Sequence, residues 1–353
     1  MRASGKECLG VEGGGGGLST RWARRLAVFG RALPCIGMLA LAGCGGGGDS
    51  TVVLRASHPL DPTHPNHRAL VFMADDLARR SDGRMRLEVY ASGQLGNSRE
   101  ALELLQVGSV DLTVASAASV ESFVPTYRVF GLPYLFRDRA HRMAFFASRS
   151  GRELLRAGTA QRLRGLAYFD SGSRSFYTKE AVVDAPDDLR GRKVRVMNSP
   201  MAIATVRALG GSPTPIAWGE LYTALQQGVV DAAENNPPSL VTSRHYEIAR
   251  YYSLDEHTSI PDLLLVGEAS WRRLGSRERQ WLEDSAAAAA GHQHRLWREA
   301  VAAAMRTLED EGVTIHRPDK TPFVEAVGGL YESFAADSPA LMPTVEAIQE
   351  VRP

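Results

Sequence analysis

Residues 192–238, RKVRVMNSPMAIATVRALGGSPTPIAWGELYTALQQGVVDAAENNPP, place single polar residues inside a pattern that is otherwise typical of an α/β core. Charged and apolar side chains alternate over residues 193–197, and apolar residues with helical spacing follow directly. A strand that leads into a helix is the repeating unit of an α/β sheet. The stretch therefore predicts the α/β fold class, and it leaves Arg195 inside a strand.

Arg195 is the residue in this stretch that most needs an explanation. Strands of such sheets are usually covered on both faces, so a central arginine must meet an anion or reach a cleft. One interpretation is that Arg195 binds an acidic ligand. The other, architectural interpretation is a salt bridge to Asp170, Glu220 or Glu234, because buried charges also stabilise folds through ion pairs. The spacing alone leaves both interpretations open.

Two further polar features follow Arg195 along the chain. Trp218 precedes a short predicted helix, where a tryptophan either packs at a rim or forms a wall of a ligand pocket. Asn236 before Pro237 is typical of a helix cap. Asn235 has no capping role in this pattern, so its amide is available to a ligand.

The order of these motifs resembles one family of transport proteins. The chain contains V-R-V-x-N, A-L-G-x-x-P-T-P, W-x-E-L-Y-T-A-L-Q-Q-G-V-V-D and E-N-N-P-P, preceded by S-G-Q-L-G (92–96), G-S-V-D (108–111) and L-P-Y-L-F (132–136). From Val52 to Phe334 it is similar to the DctP-type solute-binding proteins of tripartite ATP-independent periplasmic (TRAP) transporters. The resemblance implies a periplasmic protein that binds a small organic acid and delivers it to small and large membrane permease subunits.

The resemblance also implies a two-domain clamp of the periplasmic-binding-protein type, with one long helix spanning both domains. Helical spacing from Ser276 to about Glu311 predicts that helix, with a length on the order of 50 Å. We expect the first domain to contain residues 51–171 and 261–300, and the second domain residues 172–260 and 301–340. Residues 341–353 form a C-terminal segment.

Positions that match the family motifs imply which residues bind the ligand. The resemblance assigns Arg195 to the ligand carboxylate, which a planar guanidinium can contact at two points. It assigns Arg174 to a second arginine position, with a salt bridge to Asp170 as the alternative interpretation. Asn235 matches an amide that contacts the ligand, and Trp218 matches an aromatic wall of the pocket. The remaining predicted ligand-binding residues are His58, Asn97 and Asp170.

The ligand class follows from the same resemblance. The motif D-S-G-x-R-S-F-Y (170–177) and residues 243–257 look like those of members that bind sugar acids such as hexuronates. A C4-dicarboxylate or a keto acid is the alternative ligand. Asn97-Ser98 and residues 114–116 depart from what that group leads us to expect, so we expect the hydroxyl-binding end of the pocket to differ.

The first 43 residues predict an export signal. Arginines precede a short apolar stretch that ends in Leu41-Ala42-Gly43-Cys44, which resembles a lipoprotein signal peptide. Cys44 would then carry lipid and anchor the mature protein to a membrane, with residues 44–50 as a glycine-rich tether. An incidental cysteine after an ordinary signal is the alternative. All three cysteines lie at or before residue 44, so the mature body offers no disulfide or metal-thiolate site.

Several function classes find no support in the sequence. The formal net charge is only +1 and becomes about −3 without residues 1–43, so nothing indicates nucleic-acid binding. His58, His64 and His67 cluster but lack the helical spacing of a metal site, so we expect no metal and no cofactor. An exported hydrolase is the alternative of a different class, although the chain has no G-x-S-x-G elbow, phosphate loop or H-E-x-x-H motif.

Overall fold

Two β-sheets organise the chain in a computed structural model that describes residues 51–352. The strands are β1 (Val52–Ser57), β2 (Met85–Tyr90), β3 (Leu112–Ser116), β4 (Leu163–Phe169), β5 (Arg174–Thr178), β6 (Lys193–Val196), β7 (Ser212–Pro215), β8 (Ala232–Asn235), β9 (Tyr251–Thr258), β10 (Asp262–Gly267) and β11 (Thr314–His316). The first sheet has the order β2-β1-β3-β10-β4, and the second β11-β9-β5-β8-β6-β7. The predicted signal peptide, Cys44 and the tether lie outside the described residues.

The helices cover both sheets. They are α1 (Pro65–Arg80), α2 (Ser98–Val107), α3 (Ala117–Val120), α4 (Arg139–Ala147), α5 (Arg149–Leu155), α6 (Pro200–Ala208), α7 (Leu221–Gln226), α8 (Pro237–Thr242), α9 (Glu268–Arg273), α10 (Ser276–Asp310), α11 (Thr321–Ala326), α12 (Gly329–Asp337) and α13 (Met342–Glu350). Short 3₁₀ helices fill several connections. Within residues 51–352, no helix has the length and apolar character needed to span a membrane.

Each sheet contains one strand that runs against its neighbours, and chain crossings explain both. β4 of the first sheet ends at Phe169, and the chain crosses to the second sheet before β5 begins at Arg174. β9 ends at Thr258, and the chain returns to the first sheet at Asp262, the start of β10. A strand that enters from the facing sheet starts at the edge where the others end, so β5 and β10 pair antiparallel with both neighbours. Both crossings therefore meet at one edge of the two sheets.

The long helix α10 is the third connection between the two sheets. Its 35 residues match the predicted span, and its length is about 50 Å at 1.5 Å per residue. Trp297 and Leu296 are buried near its middle, while Leu308 packs in the core of the second sheet. The α/β architecture, the two-sheet arrangement and the long helix are as predicted. The two sheets belong to one compact unit, and the domain boundaries stay a prediction.

Local signals in the sequence set the ends of several elements. Asn97 caps α2 and forms a capping box with Glu100, and α2 ends at Gly108 in the left-handed conformation. Asn236 caps α8 through Ser239, with Pro237 at the first helical position. The Asn236 cap is confirmed as predicted, and the capping box at Asn97 fits the N-x-x-E pattern of residues 97–100. They bring Asn97 and Asn236 to the ends of strands, where the site lies.

Candidate ligand-binding cleft

A cleft of about 440 Å³ lies where the two sheets face each other. Its walls come from loops at the carboxyl ends of the parallel strands and from the first residues of β5 and β10. This is the edge at which open α/β sheets generally bind ligands. Five predicted site residues line the cleft: Arg195, Arg174, Asn235, Trp218 and Asn97.

Arg195 is buried in β6 and forms no salt bridge with any residue between 51 and 352. Its Nε donates to the carbonyl oxygen of Ile216 at 2.9 Å, whereas its buried Nη1 has no hydrogen-bond partner within residues 51–352. Burial lowers the pKa of Arg195 to about 10. A guanidinium held in this way stays charged at neutral pH but carries an unmet demand for an acceptor. An anion in the cleft would meet this demand.

None of the three salt bridges considered for Arg195 forms. Asp170 pairs with Arg139 and Arg142, at 2.7 and 2.9 Å. Glu234 pairs with Arg174, and Glu220 is exposed in the 3₁₀ helix beside Trp218. The structure therefore contains none of the salt bridges that the architectural interpretation of Arg195 proposed.

Arg174 differs from Arg195, because its charge is already compensated. Its Nε and Nη2 both contact the carboxylate of Glu234, and Nη2 also donates to the Glu234 carbonyl oxygen at 2.9 Å. The partner is thus Glu234 and not Asp170, because Glu234 lies next to Arg174 across the β5–β8 ladder. Burial alone would raise the pKa of Glu234, but Arg174 lowers it to about 2.

His257 and Asp255 extend this buried charge network away from the cleft. The Nε2 atom of His257 lies 3.7 Å from Glu234 Oε2, and its Nδ1 lies 2.7 Å from Asp255 Oδ2. Burial would lower the pKa of His257, but Asp255 and then Glu234 raise it to about 9. Arg174, Glu234, His257 and Asp255 therefore form a balanced set of two cations and two anions.

Asn235 presents hydrogen-bond donors to the cleft. Its Oδ1 accepts from Arg174 Nη1 and from the Asn236 backbone N–H, both at 2.9 Å. Because both partners are donors, the oxygen must face them and the NH₂ group must face away. Asn97 is constrained similarly, since its oxygen caps α2 by accepting from Arg99 N and Glu100 N. Both amides therefore offer N–H groups and not oxygens.

Trp218 forms an aromatic wall next to Arg195. The Arg195 Cζ atom lies 5.7 Å from the centroid of the Trp218 ring, which is within the range of a cation–π contact. On its other side, Trp218 packs against His245 with ring centroids 5.0 Å apart. Burial, followed by Arg195, lowers the pKa of His245 to about 3, so this neighbour is neutral. Neither Trp218 nor the neutral His245 therefore supplies a counter-charge to Arg195.

His58 and Asp170 do not line the cleft. His58 is fully buried beneath it, where its Nε2 contacts His67 Nδ1 at 3.0 Å and its Nδ1 accepts from Leu60 N. Asp170 lies at the crossing after β4, beside α4, where both of its carboxylate oxygens form salt bridges with Arg139 and Arg142. Among the clustered histidines, His64 is the one that reaches the cleft, since it caps α1 and its Nε2 contacts Ser239 Oγ at 3.3 Å.

Asp262 is a cleft residue that the sequence reasoning missed. It begins β10, lines the cleft and is 9% exposed. Its carboxylate accepts from Asn66 Nδ2 at 2.7 Å, and burial raises its pKa to about 6. A usable signal was present, because D-L-L-L-V-G places one acid at the head of an otherwise apolar strand.

The cleft thus combines one uncompensated cation with neutral donors and one carboxyl group. Arg195 supplies the cation, Asn235 and Asn97 supply N–H donors, and Trp218 supplies an apolar face. This arrangement suits a small organic acid that also carries hydroxyl groups. Over the described part of the chain, no group of three or more His, Cys, Asp or Glu side chains is arranged to hold a metal ion.

Comparison with known proteins places this site in a family. The family model of bacterial extracellular solute-binding proteins, family 7 (DctP), matches residues 56–337. A solute-binding protein of Chromohalobacter salexigens is 36% identical over 296 residues, which span 84% of this chain and 88% of the relative. These relatives are solute-binding proteins, so the hydrolase alternative finds no support.

Solved structures agree with this match. A TRAP periplasmic solute-binding protein from Chromohalobacter salexigens with bound D-glucuronate is 35% identical, has a TM-score of 0.83, and covers 85% of this chain and 100% of its own. A similar protein from Bradyrhizobium sp. BTAi1, in complex with α/β-D-galacturonate, is 35% identical with a TM-score of 0.82 and covers 84% and 99%. The predicted family and the clamp architecture are confirmed.

Proposed function

This chain belongs to the DctP family of bacterial extracellular solute-binding proteins, and from that membership we propose that it captures a hexuronate for a TRAP transporter. Its family acts outside the cytoplasm, binding small acids for membrane permeases and catalysing no reaction. The ligand is held between the two sheets, and its carboxylate pairs with Arg195.

The unpartnered guanidinium of Arg195 is the observation that carries this proposal. A carboxylate accepts hydrogen bonds in the fork geometry that Arg195 offers. It also supplies a negative charge, which no described residue places within salt-bridge distance of Arg195. Arg174 cannot serve as the main charge partner because Glu234 already occupies it. We assign Arg174 the role of orienting Asn235, whose NH₂ group donates to the ligand.

The hexuronate assignment is supported by the ligands of the similar structures and by the polar lining of the cleft. The structures named above contain D-glucuronate and galacturonate. Here the serines at 116, 119, 171 and 239 line the cleft together with Asn97 and Asn235, which provides donors and acceptors for a polyol. A C4-dicarboxylate or keto acid has fewer hydroxyl groups to use them.

Ligand binding closes the clamp about its crossings. Residues 170–173 and 259–261 are short connections between the sheets, and hinges of this kind absorb the backbone change of domain closure. Closure is favoured only to the extent that the ligand binds the closed form more tightly. Delivery to the small and large permease subunits then follows from the closed form.

We also propose that residues 1–43 are an export signal. Lipid on Cys44 then anchors the mature protein to a membrane that faces the periplasm. Mass spectrometry of the protein purified from cell envelopes tests both points. A lipidated peptide that begins at Cys44 supports the anchor. An unmodified N-terminus at any other position contradicts it.

Thermal unfolding of the purified protein against a panel of acids tests the hexuronate assignment. D-Glucuronate and D-galacturonate are compared with succinate, pyruvate and sialic acid. A ligand at a hundred times its dissociation constant adds about 2.7 kcal/mol to the free energy of unfolding, which gives a clear shift of the melting temperature. Bound ligand is first removed by unfolding and refolding the protein. The proposal is contradicted if only a dicarboxylate shifts the melting temperature, or if none of the acids does.

A further inference from the structure

Asp262 holds a carboxylate at the cleft surface with one oxygen committed and the other free. Its Oδ2 accepts from Asn66 Nδ2 at 2.7 Å. Its Oδ1 makes no hydrogen bond to any residue in the 51–352 range, and the side chain lines the cleft. In the first sheet, Asp262 lies between Ser116 and Phe169, at the head of β10. The free oxygen is therefore available to a bound molecule.

A chain of amides fixes the orientation of this carboxylate. Gln293 on α10 accepts the backbone N–H of Asp170 at its Oε1, so its Nε2 is the donor that reaches Asn66 Oδ1 at 2.8 Å. Asn66 must then turn its NH₂ group toward Asp262. The protein thus orients Asp262 as an acceptor before any ligand arrives.

Within residues 51–352, Asp262 forms no salt bridge. Arg174 lowers the pKa of Asp262 and Asp170 raises it, but the Arg174 guanidinium is bound to Glu234 and Asp170 is bound to two arginines. His64 faces the same cleft, but burial and then His58 lower its pKa to about 3, so it is neutral. The free oxygen of Asp262 therefore keeps its full capacity to accept hydrogen bonds.

We propose that Asp262 determines specificity by accepting hydrogen bonds from hydroxyl groups of the ligand and by repelling a second carboxylate. The inference rests on the proposed function, because it assigns the end of the ligand that Arg195 does not hold. A carboxylate is an acceptor only, so a hydroxyl group can donate to it while another carboxylate cannot. Two like charges in a water-poor cleft also disfavour each other.

This role explains how one cleft separates two classes of acid. Arg195 binds the carboxylate that hexuronates and dicarboxylates share, so it cannot distinguish them. Asp262 acts on the remainder of the molecule, where a hexuronate has hydroxyl groups and an aldarate or dicarboxylate has a second negative charge. Specificity thus comes from a favourable contact and a repulsive one at the same residue.

Calorimetric titration of wild-type protein and Asp262→Asn with D-glucuronate and D-glucarate tests the inference at pH 7.5. The amide oxygen of the variant still accepts from Asn66, while its NH₂ group replaces the free oxygen. Loss of a charge-assisted hydrogen bond predicts about a 10- to 100-fold weaker affinity for D-glucuronate. Affinity for D-glucarate, which carries a second carboxylate, should stay constant or rise. Asp75→Asn, on the exposed face of α1, is the matched control and should change neither value.

Each outcome decides a different point. Equal losses for both acids in Asp262→Asn, or a change below twofold for D-glucuronate, overturn the inference. Wild-type protein that binds neither acid overturns the proposed function and the inference with it. Should the variant not fold, the wild-type protein gives the same answer through pH. Burial raises the pKa of Asp262 to about 6, so Asp262 loses its charge between pH 7.5 and 5. Neither Arg174, Asp170 nor neutral His64 titrates in this pH range. The preference for D-glucuronate over D-glucarate should therefore fall between pH 7.5 and 5. A constant preference contradicts the role of Asp262.

Discussion

Replacing Arg195 separates its binding role from any structural role. Arg195→Met removes the charge but keeps an unbranched side chain of comparable length, and Arg195→Lys keeps the charge but removes the fork. The Nη1 atom has no partner in the described part of the protein, and under the proposed function a bound carboxylate would supply its hydrogen bond. Loss of one partner of such a buried pair costs about 2–5 kcal/mol, or roughly thirtyfold to several thousandfold in affinity.

The lysine variant should lose less affinity than the methionine variant. Lysine makes a point contact, so one of two charge-assisted hydrogen bonds disappears, at about 1.5–3 kcal/mol. That corresponds to roughly a 10- to 150-fold weaker affinity for D-glucuronate. Isothermal titration calorimetry measures both variants, and Arg207→Met, on the exposed face of α6, serves as the control.

Stability of the ligand-free protein should move in the opposite direction. Burial lowers the pKa of Arg195 to about 10, which corresponds to about 3 kcal/mol of unfavourable free energy for the charged form. The hydrogen bond to the Ile216 carbonyl oxygen offsets only about 1 kcal/mol of this unfavourable free energy. The melting temperature of Arg195→Met without ligand should therefore be at least that of the wild type. A methionine variant that binds normally, or a lysine variant that binds as tightly as the parent, refutes the two-point carboxylate contact.

Two further predictions concern stability. The pKa of His257 is raised to about 9 in the folded protein, so protonation of His257 stabilises the fold by a free energy on the order of 3 kcal/mol. This stabilisation is complete below the unfolded pKa near 6.5 and is lost as pH rises through 9. Melting temperatures at pH 6 and 9 should show this loss, and His257→Gln should reduce it; an equal loss in the variant contradicts the assignment. Gly172→Ala should cost about 1–2 kcal/mol, since Gly172 has φ +62° and an added Cβ would lie 3.1 Å from Trp297 Nε1. Chemical denaturation measures this cost, with Gly291→Ala in α10 as a control that meets no atom within 4 Å and should be neutral or stabilising.

Features that depend on neighbouring residues could be predicted from the sequence. The β6–α6 unit, the caps at Asn97 and Asn236 and the span of α10 all follow from patterns within a few turns of chain. Arg195 belongs with them, because an arginine inside a strand is anomalous before any partner is known. The anomaly alone therefore marks Arg195 as a candidate site residue.

Features that depend on pairing across the fold could not be predicted in this way. Arg174 has acids on several segments within reach, and only the β5–β8 ladder places it beside Glu234 and not Asp170. His58 and His64 lie six residues apart in one loop, and the start of α1 decides which reaches the cleft. Asp262 becomes part of the site only because the chain crosses between sheets directly before it.

The crossings also constrain how the protein acquires its structure. β10 lies between β3 and β4 in the first sheet, although about a hundred residues separate it from β4 and include most of the second sheet. Residues 51–171 alone would leave β3 and β4 without the strand that joins them, exposing two unpaired edges. The first sheet must therefore wait for residue 267 to be available, and contacts so distant in sequence make assembly slow. A fragment that ends before β10 should consequently aggregate, so the half of the clamp built on the first sheet is not an independent folding module.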